Sequence, residues 1–366
     1  MKKEKNPVKL GVVGLGRAGW GMQMKELAKK KDLFQVVACC DIIPERVTRA
    51  ETELGCKGYA TIEELLADPE VELVDIATRN CDHYAHAKLA LEAGKNVLLE
   101  KPMTINVEQA KELISMANKE GKPRLFVRQN RRFEPVYTDI QKIVDSGVLG
   151  DIFEVSISQK SYQRRDDWQT IDEFGGGQAL NWGPHILDQA LMLLGAPVVE
   201  QHSNRYQVAA GGDCEDHFTV HLVGKNGRQV NVSVSGASAL NTGRRYVVHG
   251  SRGSVECVSG HIHAKYMDPK QVMPKVVSSP DTPGQSFGAA GTFVAKVNPN
   301  WIEQDFKYGE LDVDKWEPFW NHVYGALRFD AEYPIKDEQL IALMDVITKV
   351  HEAPLVVMNK QRDALK

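Results

Sequence analysis

This chain has no marked excess of charge of either sign. Its 45 lysines and arginines stand against 49 aspartates and glutamates, for a formal charge of -4, so it carries no basic footprint for nucleic acid. Long hydrophobic runs are missing too; no apolar stretch approaches membrane-spanning length, and no membrane partner is expected. The six cysteines (Cys39, Cys40, Cys56, Cys81, Cys214 and Cys257) form no Cys-X-X-Cys pair and no regular framework. That excludes a disulfide scaffold and fits reduced thiols. The start "MKKEKNPVKL" has basic residues but no apolar core behind them. A cytoplasmic location is therefore expected, although an export signal already removed would leave no trace. No internal repeat or low-complexity tract stands out. What is present is an ordinary globular composition, 42% hydrophobic and 26% charged over 366 residues. That length exceeds one typical core and suggests two domains.

Two periodicities divide the chain. In the first third, "VKLGVVG" (8–14), "FQVVACCD" (34–41), "VELVDIAT" (71–78), "NVLLE" (96–100) and "RLFVRQ" (124–129) read as strands, most of them as continuous apolar runs buried on both faces. Helices are expected between them, near 17–30, in "TIEELLAD" (61–68), over 82–94 and after Asn106. Thr61 and Glu64 have the spacing of a capping box. Strands alternating with helices predict right-handed βαβ units and a parallel sheet. From about residue 150 the period becomes two, in segments such as "DIFEVSISQKSY", "DHFTVHLVG", "RQVNVSVSG" and "GSVECV". These predict a largely antiparallel sheet with one covered face, flanked by helices near 180–194 and in the C-terminal part. Residues 261–316, rich in Pro, Gly and Ser, read as long loops or an arm. The expected fold class is α/β plus α+β. A Rossmann dinucleotide-binding domain spans 1–128, and an α+β domain built on a large, mainly antiparallel open sheet spans 129–366. An exposed apolar face on that sheet would be too large to leave in water, so a homodimer or homotetramer is expected to pair through it.

Chemistry gathers at three places. "GLGRAG" (14–19) is a G-x-G-x-x-G that follows a strand and opens a helix. Gly14 permits the tight turn, Gly16 lets a pyrophosphate approach, and Gly19 lets helix and strand pack closely. Arg17 and Ala18 complete the loop, whose free amides face the anion. Asp41 ends the second strand, where a carboxylate accepts ribose hydroxyls and repels a 2′-phosphate. Ile42 and Ile43 supply no cation, so NAD is expected rather than NADP. "LLEKPMT" (98–104) puts Lys101 at the end of a parallel strand, and Pro102 keeps it extended. An ammonium beside an oxidised nicotinamide loses its proton more readily and can shuttle a hydroxyl proton. The bland alternative is a solvated lysine. In "GGGQALNWGPHILDQ" (175–189), Asn181 and His185 share one face if the helix is continuous. Asn181 is either a substrate or His185 partner or, with Pro184 in a first turn, an N-cap. Asp188 either holds the other nitrogen of His185 or pairs elsewhere. "HIH" (261–263) presents two imidazoles on one extended face; no further ligand is spaced for a metal, and none is expected. The aromatic stripe of 316–324 reads as core or subunit interface.

Taken together, "GLGRAG", "DIIPER", "TRNCDHYAHAKLALEAGKNVLLEKPM", "NRRFEP" and "GGGQALNWGPHILDQALMLLG" resemble the Gfo/Idh/MocA oxidoreductases, which include inositol, glucose and other sugar dehydrogenases. The resemblance runs from about residue 7 to 358 and is weakest over 261–316. It implies Lys101 as the catalytic lysine and His185 as a catalytic or substrate-orienting histidine. It places Thr78, Asn80 and His83 on the nicotinamide side, Glu100 at the cofactor, and Asn130 and Arg131 between cofactor and substrate. Tyr162, Arg165 and Trp168 become candidates at the substrate mouth, Trp168 fitting packing equally well. Two positions depart from the family pattern: Arg79 stands where a proline is usual, and Asn181 where many members carry Asp. The implied activity is NAD-dependent oxidation of a ring hydroxyl on a sugar, glycoside or polyol. A redox-neutral glycosidase or lyase working through a transient keto-sugar and a non-catalytic sensor are the alternatives.

Overall fold

The computed structural model describes residues 6–241, 243–275, 298–309 and 319–358. Its first sheet contains β1 (Val8–Val13), β2 (Phe34–Cys40), β3 (Lys57–Tyr59), β4 (Leu73–Ile76), β5 (Asn96–Leu99) and β6 (Leu125–Val127). The order is β3-β2-β1-β4-β5-β6, with every pairing parallel. Parallel neighbours need crossovers, and helices supply them: α1 (Met24–Leu27), α2 (Pro44–Leu54), α3 (Ile62–Ala67), α4 (His83–Glu92) and α5 (Val107–Met116), with α6 (Pro135–Asp145) leading out of the sheet. The helix expected near 17–30 is shorter and starts with a wide turn over Gly19–Gln23. The Thr61–Glu64 capping box forms, and Asn106 caps α5 by accepting from the Gln109 amide. Cys39 and Cys40 lie buried in β2. The sequence pattern does not predict α2, β3 or α6. Strand order reverses at β1, between β2 and β4, and opens a crevice beyond the strands' carboxyl ends.

The second sheet has nine strands. They are β7 (Ile152–Lys160), β8 (Val198–Gln207), β9 (His217–Gly224), β10 (Gln229–Ser235), β11 (Arg244–Gly250), β12 (Gly253–Val258), β13 (His261–Met267), β14 (Trp301–Lys307) and β15 (Leu355–Val357). Only β10–β7 and β15–β8 pair in parallel; the other neighbours are antiparallel. α7 (Gln178–Asn181), α8 (Gly183–Leu194) and α10 (Asp337–Glu352) lie on the covered side, α8 against β7 and β10, α10 against β8. Phe218, Val220, Leu222, Val230 and Val232 point into this core.

Two expectations are corrected here. Residues 261–316 are not all loop: β13 buries Ile262, Ala264 and Tyr266, and β14 pairs with it to close the sheet's edge. The parts at 276–297 and 310–316 fall outside the described residues. The open face of the sheet is also not the expected apolar patch. Opposite the buried rows stand Ser156 and Ser158 on β7, His217, Thr219 and His221 on β9, and Asn231 and Ser233 on β10. Hydroxyls, amides and imidazoles tolerate water, so this face makes no apolar demand for a cover.

The C-terminal segment returns to the first sheet. In α9 (Phe319–Phe329), Trp320 is buried with its ring 5.2 Å from that of Phe34 in β2, and Tyr324 lies at 5.9 Å from the same ring. The aromatic stripe therefore serves the core; Trp316 lies outside the described residues.

Candidate active site

The loop after β1 is built for close approach. Gly14 has φ +94°, and a Cβ there would sit 2.6 Å from the Ala77 carbonyl oxygen. At Gly19 a Cβ would meet the Gly14 carbonyl oxygen at 2.0 Å. Gly16 is open by contrast: only the Arg46 guanidinium, at 3.7 Å, would come near. That open backbone fits a pyrophosphate. Arg17 is exposed and Ala18 half-buried on the same turn. Asp41 accepts from the amides of Leu15 (2.7 Å) and Ile43 (2.9 Å), so it ties the loop to the end of β2. Its sequence neighbours Ile42 and Ile43 supply no cation. One arrives from α2, where Arg46 Nη1 stands 3.3 Å from the Asp41 carboxylate.

The β4 and β5 ends form the crevice wall. Thr78 contacts His86 Nδ1 at 3.2 Å, and Asn80 donates to the Gly175 carbonyl at 2.7 Å, joining this wall to the triple-glycine loop. His83 is buried, and burial lowers its pKa. As a neutral ring it has one N–H, and the shorter contact, Nδ1 to the Pro102 carbonyl at 2.7 Å, takes it. His83 thus clamps the corner that carries Lys101. Arg79 lies over the Phe174 ring at 4.5 Å and pairs with Asp82 at 3.5 Å.

Lys101 sits at that corner, half-buried, with Nζ donating to the Asn181 carbonyl at 2.9 Å. Desolvation, opposed by Glu100 and reinforced by Arg131, Arg128 and Arg17, lowers its pKa to about 8. The protein's own surroundings therefore lower this pKa without a cationic nicotinamide. Glu100 is buried behind it, accepting from Gln23 Nε2 (3.0 Å), Arg128 Nη1 (3.0 Å) and the Lys101 amide (3.1 Å). Arg128 in turn holds both carboxylate oxygens of Glu26. None of Gln23, Glu26 and Arg128 is signalled by a local motif; a guanidinium at the end of a buried strand was the only hint.

The second half contributes His185 and Asn181, in an arrangement that differs from the expected continuous helix. The chain breaks at Trp182: Asn181 ends α7, Trp182 holds the N-cap position of α8, and Pro184 falls in the first turn of α8. Asn181 is therefore not the N-cap, and its backbone carbonyl, rather than its amide, meets Lys101. Asp188 does not hold His185; it makes two hydrogen bonds to Arg132, at 2.7 and 2.5 Å. His185 is buried with Nδ1 unpartnered. Burial first, then the charges of Lys101, Arg131, Arg128 and Arg245, hold its pKa well below the usual value, so the ring is neutral. The structure thus brings Lys101 and His185 into one electrostatic neighbourhood.

Asn130 lies in the turn after β6 with a buried, unpartnered Oδ1. Arg131 stacks on the Trp182 ring at 4.5 Å and donates Nη1 to Glu134 at 2.6 Å. The remaining candidates are held by their own surroundings. Arg165 is engaged by Asp167 and Gln169, Tyr162 is exposed and bridges to Ala237, and Trp168 sits half-buried in a short turn. His261 and His263 each lie 3.6 Å from an Asp305 oxygen on the open face.

Comparison with known proteins follows the same division. A family model described as oxidoreductase family, NAD-binding Rossmann fold, matches residues 8–129, and the GFO/IDH/MocA C-terminal domain matches residues 137–256. The chain is 33% identical to the uncharacterized oxidoreductase YhhX of Escherichia coli, over 93% of this chain and 95% of that protein. It is 29% identical to scyllo-inositol 2-dehydrogenase (NADP(+)) IolW of Bacillus subtilis, over 69% of each. The crystal structure of an NAD-binding protein from Listeria innocua superposes with a TM-score of 0.76 at 26% identity, covering 96% of this chain and 95% of that one.

Proposed function

This chain belongs to the Gfo/Idh/MocA oxidoreductase family, and from that premise we propose that it is an NAD-dependent dehydrogenase acting on a ring hydroxyl of a sugar, glycoside or polyol. Residues 1–128 would carry the dinucleotide and 129–366 the substrate, except that α9 packs on the first sheet. The observation that carries the reading is the pairing at the crevice. An amine whose pKa is near 8 bonds the carbonyl that ends α7, while the neutral His185 ring keeps a buried nitrogen without a partner.

Gly14, Gly16 and Gly19 would hold the pyrophosphate on open backbone, and Asp41 the ribose. When bound, the dinucleotide supplies a hydride acceptor. Lys101 Nζ, when neutral, takes the hydroxyl proton of the substrate carbon that loses hydride. The neutral His185 ring would orient the same hydroxyl. Asn181 carries no charge, so proton transfer falls on Lys101 and His185. The polyol class is supported by the named activity of the Bacillus subtilis relative.

The direct test is Lys101→Met, assayed for NADH formation across a sugar and polyol panel. Turnover should fall by roughly 100- to 10,000-fold, while NAD affinity stays nearly unchanged. Full activity in this variant would refute the role given to Lys101.

A further inference from the structure

Arg131 and Arg245 share a single carboxylate. Glu134 takes Arg131 Nη1 on one oxygen at 2.6 Å and Arg245 Nη2 on the other at 2.8 Å. Two guanidinia over one carboxylate leave one positive charge uncompensated. The nearby carboxylates of Glu26 and Glu100 do not offset it, because both are already engaged by Arg128. The excess sits beside the reaction space: the Arg131 guanidinium lies over the Trp182 ring at 4.5 Å, and that indole meets the His185 ring edge-on with centroids 6.1 Å apart. The four charges acting most strongly on His185 are all cations. Donors are also left over. A guanidinium has five N–H groups, and the buried Nε of Arg245 has no partner. Burial, with Arg245 adding repulsion, holds the pKa of Arg131 below its usual value, so its charge is costly as it stands. The residue that receives the Lys101 amine is an amide, Asn181, and supplies no counter-charge.

We propose that the substrate is a carboxylated sugar or polyol, a uronate or aldonate, whose carboxylate lies against Arg131 while a ring hydroxyl meets Lys101 and His185. The proposal rests on the dehydrogenase reading and deepens it. One uncompensated positive charge matches a monoanion better than a phosphate dianion. The planar guanidinium fork also fits a carboxylate.

The test compares D-glucuronate, D-glucose and D-glucose 6-phosphate with the full chain and NAD, measuring kcat/KM and, by calorimetry, binding to NAD-loaded Lys101→Met. Glucuronate should exceed glucose by about 10- to 100-fold, the weight of one charge-assisted hydrogen bond or pair of them. Arg131→Gln should collapse that preference, and Glu134→Gln, which raises the local positive charge, should widen it. Opposite signs from two neighbouring substitutions cannot come from simple misfolding. Glucose or the phosphate ester binding as well as glucuronate, no glucuronate binding, or a preference that survives Arg131→Gln would overturn the proposal. Selective glucuronate binding with no turnover would instead leave it standing and count against the dehydrogenase reading.

Discussion

Lys101 has a pKa lowered from 10.5 to about 8 by folding, and that shift has two consequences of definite sign. In the oxidative direction the role proposed for Lys101 requires a neutral amine, so kcat/KM should rise with pH and level off above about 8. Between pH 8 and 10.5 the unfolded chain holds a proton that the native chain has lost. Stability therefore rises with pH across that window, and below it the native state bears the full cost of a desolvated ammonium. Lys101→Met should raise the melting temperature at pH 7 and have little effect near pH 10; a lower Tm at pH 7 would contradict this. The positions of Gly14, Asp41 and Lys101 were legible because a strand end fixes where the next residue lands. Arg128 and Arg245 were not. Their partners lie far away in the chain, and no local spacing announces a contact that only tertiary packing creates.

At the scale of elements, α2 matters most. Among the described residues it buries only Ala50 fully, so its apolar periodicity is faint, and it was invisible in the sequence. It delivers Arg46 to Asp41. Asp41 should repel a 2′-phosphate, but removing it leaves a cation free at the same place. Asp41→Ala should therefore move the ratio of kcat/KM for NADP over NAD upward by about 10- to 100-fold; an unchanged ratio would mean that Arg46 does not reach the ribose. The α7–α8 break was half legible. Pro184 predicted a first turn, where its missing N–H costs nothing, yet counting four residues from Asn181 to His185 assumed one helix where there are two. β13 and β14 were missed for another reason. Both strands carry polar residues on their water-facing side, and the two are separated by a long Pro- and Gly-containing stretch.

For the whole molecule, the two-sheet plan was legible from the change of period, and the return of α9 to the first sheet was not, since nothing in 319–329 says which sheet it will meet. Trp320 lies against Phe34 and donates its indole N–H to Glu26 at 2.8 Å. Glu26 holds Arg128, and Arg128 holds Glu100 behind Lys101. Trp320→Ala should cost about 3–5 kcal/mol of stability, read as a lower denaturant midpoint. It should also disturb the pH limb of Lys101; a variant with intact stability would show that α9 is dispensable. Because α9 follows β7 to β14 in the chain yet completes the packing of the first sheet, that sheet cannot finish packing until residues 319–329 have been made. A chain cut off before Phe319 would leave the first sheet uncovered at Phe34.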